Sequence, residues 1–188
     1  MRYVSLLSGI TASLLLASAA QASDSMEIDI HAVSADGAGE TIGSITLEDT
    51  DHGLLLTPDL SGLEPGVHGF HVHKNPSCEA QENDSGHMTA ALYAGGHYDP
   101  EETESHDGPY GDGHLGDLPV LNVDEDGNAT LPVLAPRLSV EEVQSRSIMI
   151  HEGGDNYSDD PEALGGGGSR VACGIVKSSE ESEEEDEE

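Results

Sequence analysis

The chain has 188 residues, and its 38 Asp and Glu against six Lys and Arg give a formal net charge of −32 at pH 7. This charge excludes nucleic acid as a partner, because phosphate is repelled over the whole surface. It also strains the compact state through self-repulsion unless salt screens it, so we predict an acidic, halophile-like surface in a salty exterior. With no Trp and a single Phe, the core is predicted to be aliphatic.

Residues 1–22 have the layout of a secretory signal peptide. Arg2 precedes an apolar stretch that ends at Ala17, and Ala20-Gln21-Ala22 supplies a small-x-small cleavage site. The apolar run is too short for a comfortable membrane span, although a retained N-terminal anchor is the alternative. We predict export, cleavage after Ala22 and no membrane span in the mature chain.

The rest of the chain divides into one domain and a tail. Residues 23–177 are enough for one domain with a sizeable core, whereas residues 178–188 are an acidic low-complexity segment that is predicted to be disordered. A partner- or metal-binding arm is the alternative for the tail. The two cysteines, Cys78 and Cys173, are an even number in an exported chain, which favours one disulfide over two free thiols.

Eight short runs typical of β-strands follow one another between turn signals, a pattern that favours an antiparallel sandwich or barrel over βαβ units. The runs are residues 26–33, 41–48, 53–63, 67–73, 118–124, 128–135, 147–152 and 171–177. Glu125-Asp126-Gly127 predicts a hairpin between the fifth and sixth runs. Ser139 and Glu142 have capping-box spacing, which predicts a helical turn.

Two stretches, residues 74–117 and 152–170, are long, polar and rich in glycine, and neither contains a convincing strand. Long loops of this kind in a compact domain usually carry function or need a tie. Just before the first loop, His71 and His73 share one face of a predicted strand, because strand side chains alternate between faces. The pair alone is weak evidence for a metal, since an ordinary polar strand face also explains it.

The first loop itself holds a donor set, which consists of His97, His106, His114 and Asp117. Three imidazoles and one carboxylate complete a tetrahedral zinc site, while a solvated polar loop is the alternative. Together with His71, His73 and a further histidine, His151, these residues supply enough ligands for two metal ions. A random polar surface seldom contains so many potential metal ligands.

Five motifs in this order resemble the copper/zinc superoxide dismutase family, and most of all its periplasmic bacterial branch: GFHVH, AGGHYDP, GHLGDLP, MIHEGGDN and GGGGSRVACGIV. The resemblance covers residues 26–177. It implies an all-β, Greek-key, eight-stranded sandwich or barrel with two long functional loops, located in the periplasm. The implied function is antioxidant: an oxidoreductase that dismutes superoxide to oxygen and hydrogen peroxide, using a redox-cycling copper bridged through a histidine to a structural zinc.

The resemblance also implies a role for each matched residue. The implied copper ligands are His71, His73, His97 and His151, and the implied zinc ligands are His97, His106, His114 and Asp117. His97 then bridges the metals and takes part in catalysis, and Asp155 hydrogen-bonds a ligand of each metal. Arg170 is implied to be catalytic by holding the anionic substrate beside copper, and Cys78 and Cys173 match the family's disulfide.

A protein that stores or delivers copper or zinc without turnover is the alternative to the enzyme. Such a relative is expected to lack part of the copper set, the bridging His97 or Arg170, all of which are present. The motifs leave the oligomeric state open, and a homodimer is compatible with them. Among the other histidines, His68 is expected to be hydrogen-bonded in the core, and His31, His52 and His87 to lie on the surface or in loops.

Overall fold

The structure is a computed structural model that describes residues 25–178. The predicted signal peptide, residues 1–22, lies outside this range, and so does the acidic tail beyond Ser178. Within it, no helix has the length and apolar character that crossing a membrane requires.

Eleven strands, one short α-helix and two 3-10 turns are found between residues 25 and 178. The strands are β1 (Ser25–Ser34), β2 (Gly37–Thr50), β3 (Gly53–Leu60), β4 (Gly66–His68), β5 (Phe70–His73), β6 (Gln81–Glu82), β7 (Met88–Thr89), β8 (Leu121–Val123), β9 (Val133–Ala135), β10 (Arg146–His151) and β11 (Arg170–Val176). The turns are Leu92–Ala94 and Ala163–Gly166. Helix α1 (Val140–Val143) begins at Ser139, where the predicted capping box with Glu142 is present.

Seven of these strands form a curled antiparallel sheet in the order β5-β10-β11-β1-β2-β3-β9, with two small ladders, β4-β8 and β6-β7. Along β3, Leu54 and Leu56 are fully buried while Leu55 between them is only partly buried, as the two-residue period of a strand requires. Burial of one leucine side chain stabilises the fold by about 1.5–3 kcal/mol. The all-β class and the aliphatic core are therefore confirmed.

Each of the eight predicted runs contains an observed strand, and the larger number of strands has two local causes. Gly69 divides residues 67–73 into β4 and β5, because its backbone N–H donates to Gly153 O at 2.7 Å and its carbonyl accepts from His151 N at 2.9 Å. The second cause is the β6-β7 ladder, which lies in the first long loop, where no strand was predicted.

The predicted hairpin at residues 125–127 is wrong in its strand pairing. The turn itself is present, since Asp124 N donates to Asn128 O at 2.9 Å. However, β8 pairs with β4, whereas β9 pairs with β3. Directly after the turn, Ala129 exchanges backbone hydrogen bonds with Leu60 at the end of β3, which carries the chain away from β8.

Cys78 and Cys173 form a disulfide across 95 residues of sequence, so the expected bond is confirmed and the free-thiol alternative is excluded. A second, smaller apolar cluster surrounds the bond and consists of Cys78, Ala91, Ala94, Met149 and Cys173. The bond ties the first long loop to β11, the strand that begins at Arg170.

Candidate metal centre

Strand β5 positions the first two candidate ligands. His71 and His73 are both fully buried, with 0% and 1% exposure, and each forms a backbone bridge to the first long loop. His71 pairs with Asp117, and His73 pairs with His97. Pairing with β5 therefore places two residues of the first long loop, Asp117 and His97, next to His71 and His73.

The neighbouring strand β10 supplies the third histidine. Antiparallel pairing with β5 places Met149 opposite His71, so that His151 lies at the end of the shared ladder. His151 Nε2 is 3.4 Å from His73 Nε2. The four predicted copper ligands thereby form one buried group in which each residue offers a ligand atom within 4.8 Å of the others, and they are His71, His73, His97 and His151.

A second group of four ligand atoms meets the same distance limit and consists of His71, His97, His106 and Asp117. It differs from the predicted zinc set by including His71 in place of His114. His71 has only Nδ1 free for a metal, because its Nε2 bonds Asp155. His114 lies at the edge of this group, with its buried Nδ1 3.5 Å from Asp117 Oδ1.

Asp155 connects the two groups, as its predicted role requires. Its Oδ2 accepts from His71 Nε2 and its Oδ1 accepts from His106 Nε2, both at 2.8 Å. These bonds place the ring proton on Nε2 and leave Nδ1 of each histidine as a metal donor. Backbone carbonyls orient two further rings of the copper group. His73 Nδ1 donates to Gly95 O and His151 Nδ1 to Gly168 O, which leaves Nε2 of each ring as the metal donor.

Five buried atoms of the centre lack a hydrogen-bond partner, and they are His71 Nδ1, His97 Nε2, His106 Nδ1, His114 Nδ1 and Asp117 Oδ2. His106 Nδ1 and Asp117 Oδ2 are only 2.9 Å apart, yet their geometry is not that of a hydrogen bond. A buried polar atom without a partner lowers the stability of the folded state by about 1–3 kcal/mol, and one bound cation can coordinate several such atoms at once. Imidazole with one carboxylate suits copper and zinc, so the residues fit both metals.

The copper-group histidines are held neutral, which is the form that binds metals. Burial, followed by the nearby His97, lowers the pKa of His71 to about 3 and that of His73 well below its ordinary value. Burial also lowers the pKa of His151 to about 4 and that of His97 below its usual range.

His106 behaves in the opposite way. Burial alone lowers its pKa, but the two carboxylates within 2.9 Å of its ring, Asp117 and Asp155, outweigh burial and raise the pKa to about 10. Burial raises the pKa of each of these two carboxyls, yet His106 and their other partners hold both pKa values well below the ordinary range. Without metal, a proton on His106 therefore balances two buried carboxylates.

Zinc binding to the metal-free protein is expected to release about one proton near pH 7, because His106, with its pKa of about 10, must lose its proton to become a ligand. The rings with a lowered pKa, those of His71, His73, His97 and His151, are already neutral at this pH. Adding copper as well is expected to release about one further proton, since a bridging His97 offers both nitrogens. Calorimetry in buffers of different ionisation enthalpy measures both numbers. Zinc uptake without proton release would contradict the charged His106.

Arg170 lies beside the copper group at the start of β11. Its Nη1 donates to Ala91 O at 2.5 Å and its Nη2 to Gly95 O at 2.6 Å, the same carbonyl that accepts from His73. Burial lowers its pKa, although a guanidinium remains a cation. Among residues 25–178, no ion pair within 4.0 Å joins Arg170 to a carboxylate.

Asp159 links the two long loops and was not among the predicted site residues. Its Oδ2 accepts from His106 N at 2.8 Å and its Oδ1 from Leu164 N at 2.9 Å. No signal distinguishes it in a chain so rich in acidic residues. The expectation for His68 is confirmed, because it is buried and bonds the carbonyls of Glu64 and His151.

The fold and the paired groups define a class: a β-sheet metalloprotein whose histidine-rich centre suits copper and zinc. The family model for copper/zinc superoxide dismutase (SODC) matches residues 41–176. The chain therefore belongs to the copper/zinc superoxide dismutase family. Members of this family are oxidoreductases that use copper and zinc to dismute superoxide, and superoxide is the substrate.

Relatives and solved structures agree with this family. The chain is 51% identical over 166 residues to "Superoxide dismutase [Cu-Zn]" of Escherichia coli K12, covering 88% of this chain and 95% of that protein. The structure of Cu/Zn superoxide dismutase from Brucella abortus is similar with a TM-score of 0.80 at 47% identity, covering 82% of this chain and all of that one. The solution structure of the monomeric enzyme from Salmonella enterica has a TM-score of 0.74 at 53% identity, with 82% and 100% coverage.

Proposed function

We propose that this chain dismutes superoxide at the centre described above, with the two metals assigned to two ligand sets that share one histidine. Copper is held by His71, His73, His97 and His151, and zinc by His97, His106, His114 and Asp117. The observation that carries the assignment is the position of His97, which belongs to both ligand groups, as His71 does. His97 Nδ1 lies 2.9 Å from Asp117 of the zinc set while its buried Nε2 has no hydrogen-bond partner, whereas Nε2 of His71 is bonded to Asp155.

When bound, copper supplies one-electron chemistry, while zinc keeps one oxidation state. The chain's own residues do the rest. Arg170 binds the superoxide anion through its charge, and its bonds to the Ala91 and Gly95 carbonyls orient the guanidinium toward the copper group. His97 Nε2 offers one lone pair to copper or to a proton, so a proton held there when copper is not bound would be available to the reduced product. Asp155 keeps the rings of His71 and His106 in the tautomers that bind metal.

The deciding experiment measures metal content and superoxide turnover on one preparation of the purified mature chain. About one copper and one zinc per chain with fast turnover supports the enzyme. Full metal loading without turnover would instead favour the copper- or zinc-carrier alternative. The carrier reading is disfavoured by the complete copper group and by an Arg170 without a carboxylate partner in residues 25–178.

The turnover rate is expected to hold steady or rise as ionic strength increases. Superoxide is an anion, and the chain has a net charge of −32. Within residues 152–170, Arg170 is the only Lys or Arg. Salt screens distant charges first, since the Debye length falls from about 30 Å at 0.01 M to about 8 Å at 0.15 M. Repulsion by the remote surface is thereby lost before attraction by Arg170. Pulse radiolysis at several salt concentrations measures this, and a steep fall would contradict it.

The proposal places the mature protein in the periplasm or outside the cell, after cleavage near Ala22. The disulfide supports an oxidising compartment, and N-terminal sequencing of exported protein tests the cleavage site. Two oligomeric states are proposed, a homodimer and a monomer, and the Salmonella enterica structure is named as monomeric. Sedimentation equilibrium of the mature chain distinguishes the two.

Deleting residues 178–188 is expected to leave the turnover rate unchanged within about twofold, because a solvated acidic segment contacts no reacting group. It follows β11, which begins at Arg170 and ends at Val176. Turnover and metal content of the truncated and full chains are compared at the same salt concentration. A loss of metal on truncation would favour the metal-binding arm.

A further inference from the structure

Arg137 lies outside the family motifs quoted above, in the segment between β9 and α1. Its guanidinium donates to four backbone carbonyls of one short stretch of the first long loop, and they are Gly108 O at 3.4 Å, Pro109 O at 3.2 Å, Gly113 O at 3.1 Å and His114 O at 2.6 Å. This stretch, residues 108–114, connects two proposed zinc ligands, His106 and His114.

The chemistry of this contact is unusual for so acidic a chain. With 38 acidic residues against six Lys and Arg, a carboxylate is the expected partner of an arginine. Yet no ion pair of Arg137 with a carboxylate occurs within 4.0 Å among residues 25–178. The planar guanidinium has five N–H donors in a fixed fork, so it can gather several carbonyls at once, which a lysine ammonium cannot reproduce.

The loop needs such a tie, because its own backbone bonds are few. Within it, Gly111 N donates to Gly108 O at 3.4 Å, and His114 N reaches back to Ser105 O at 2.9 Å. Gly113 packs so closely against Ser105 that a Cβ there would lie 2.3 Å from the Ser105 carbonyl oxygen. The stretch is thus tightly folded, and Arg137 bonds carbonyls at both of its ends, Gly108 and His114.

His114 depends most on this tie. The rings of His71, His73, His106 and His151 each have a hydrogen bond that orients them. The nearest carboxylate to His114 Nε2, at Asp99, is 4.0 Å away, which is too long for a hydrogen bond. Its Nδ1 lies 3.5 Å from Asp117 Oδ1 and also has no hydrogen-bond partner. The backbone of His114 is held instead, because the shortest bond from Arg137 goes to the His114 carbonyl.

We infer that Arg137 is a positioning residue for the zinc half of the centre: its guanidinium preorganises residues 108–114 and so places His114 for zinc. The inference rests on the proposed zinc ligand set. Outer partners of metal ligands typically contribute 10–100-fold to metal affinity. Arg137→Met is expected to weaken zinc binding by about 10–100-fold, while copper binding changes by less than about threefold.

The experiment uses the metal-free mature protein and titrates zinc against a chelator of known affinity, for the wild type and for Arg137→Met, Arg137→Lys, His114→Ala and Val143→Ala. Val143 is fully buried in α1, where it belongs to the hydrophobic core and to neither ligand group, so its variant controls for lost stability. Arg137→Lys keeps the charge without the fork and is expected to fold with intermediate zinc affinity. Cobalt in the zinc site gives a second readout, because its visible spectrum reports the ligand geometry.

Weakened zinc binding and an altered cobalt spectrum in both Arg137 variants, with Val143→Ala unchanged, confirm the inference. If Arg137→Met does not fold, Arg137→Lys alone decides. Wild-type zinc affinity and cobalt spectrum in the Arg137 variants, with only a lower melting temperature, overturn it. If His114→Ala also binds zinc normally, the proposed zinc set is wrong and the inference fails with it, whereas a loss in His114→Ala alone refutes only the role of Arg137.

Discussion

Arg170→Glu is expected to lower superoxide turnover by about 100-fold, the cost of losing one preorganised group that stabilises charge at a reacting centre. The guanidinium shares the Gly95 carbonyl with His73 of the copper group and has no ion pair with a carboxylate among residues 25–178, and a carboxylate in its place repels the anion. Copper and zinc contents are expected to stay at wild-type level, since Arg170 offers no ligand atom. Pulse radiolysis gives the rate, and elemental analysis gives the metals.

Arg170→Lys is the matched control for this prediction. It keeps the positive charge but cannot bond Ala91 O and Gly95 O with the same fork, so an intermediate rate is expected. Gly95 O also accepts from His73, which gives Arg170 an indirect route to the copper group. If the Arg170→Glu variant loses copper, the main role of Arg170 is to hold the Gly95 carbonyl, and the proposal that it binds substrate is wrong.

His97→Ala is expected to lower turnover by about 100-fold or more, because a positioned proton donor typically contributes 10²–10⁴-fold. The substitution removes the one imidazole that the two proposed metal sets share, and its two nitrogens face different partners: Nδ1 bonds Asp117 Oδ1 at 2.9 Å, while Nε2 has no hydrogen-bond partner. The visible spectrum of bound copper is therefore expected to change, and zinc binding to weaken.

His87→Ala controls for the removal of a histidine, because His87 is exposed and belongs to neither ligand group. Its spectrum, metal content and turnover are expected to match the wild type. Spectrum and activity are measured on the same samples of both variants after loading with both metals. An unchanged copper spectrum and rate in His97→Ala would refute the bridge.

Much of the candidate site was predictable because the relevant signals are local. The two-residue period of a strand places His71 and His73 on one face from sequence alone. The histidines of the first loop are recognisable by their type and clustering. The hairpin at residues 125–127 shows the limit of local signals. A turn sequence specifies the turn but not the partner of the strand that follows it, and after this turn the chain pairs with Leu60 and then with β3.

The all-β class, the strand segments, the ligand types and the even number of cysteines follow from the amino-acid sequence alone, because each depends on neighbouring residues or on composition. Which groups meet depends on the folded structure. Asp155 reaches His71 across 84 residues and His106 across 49, and Arg137 reaches the His114 carbonyl across 23. Such contacts follow from sheet topology and loop packing, which bring distant segments together without a local pattern. For Arg137 and Asp159 the partners are backbone atoms, which any residue type supplies, so no sequence motif announces them.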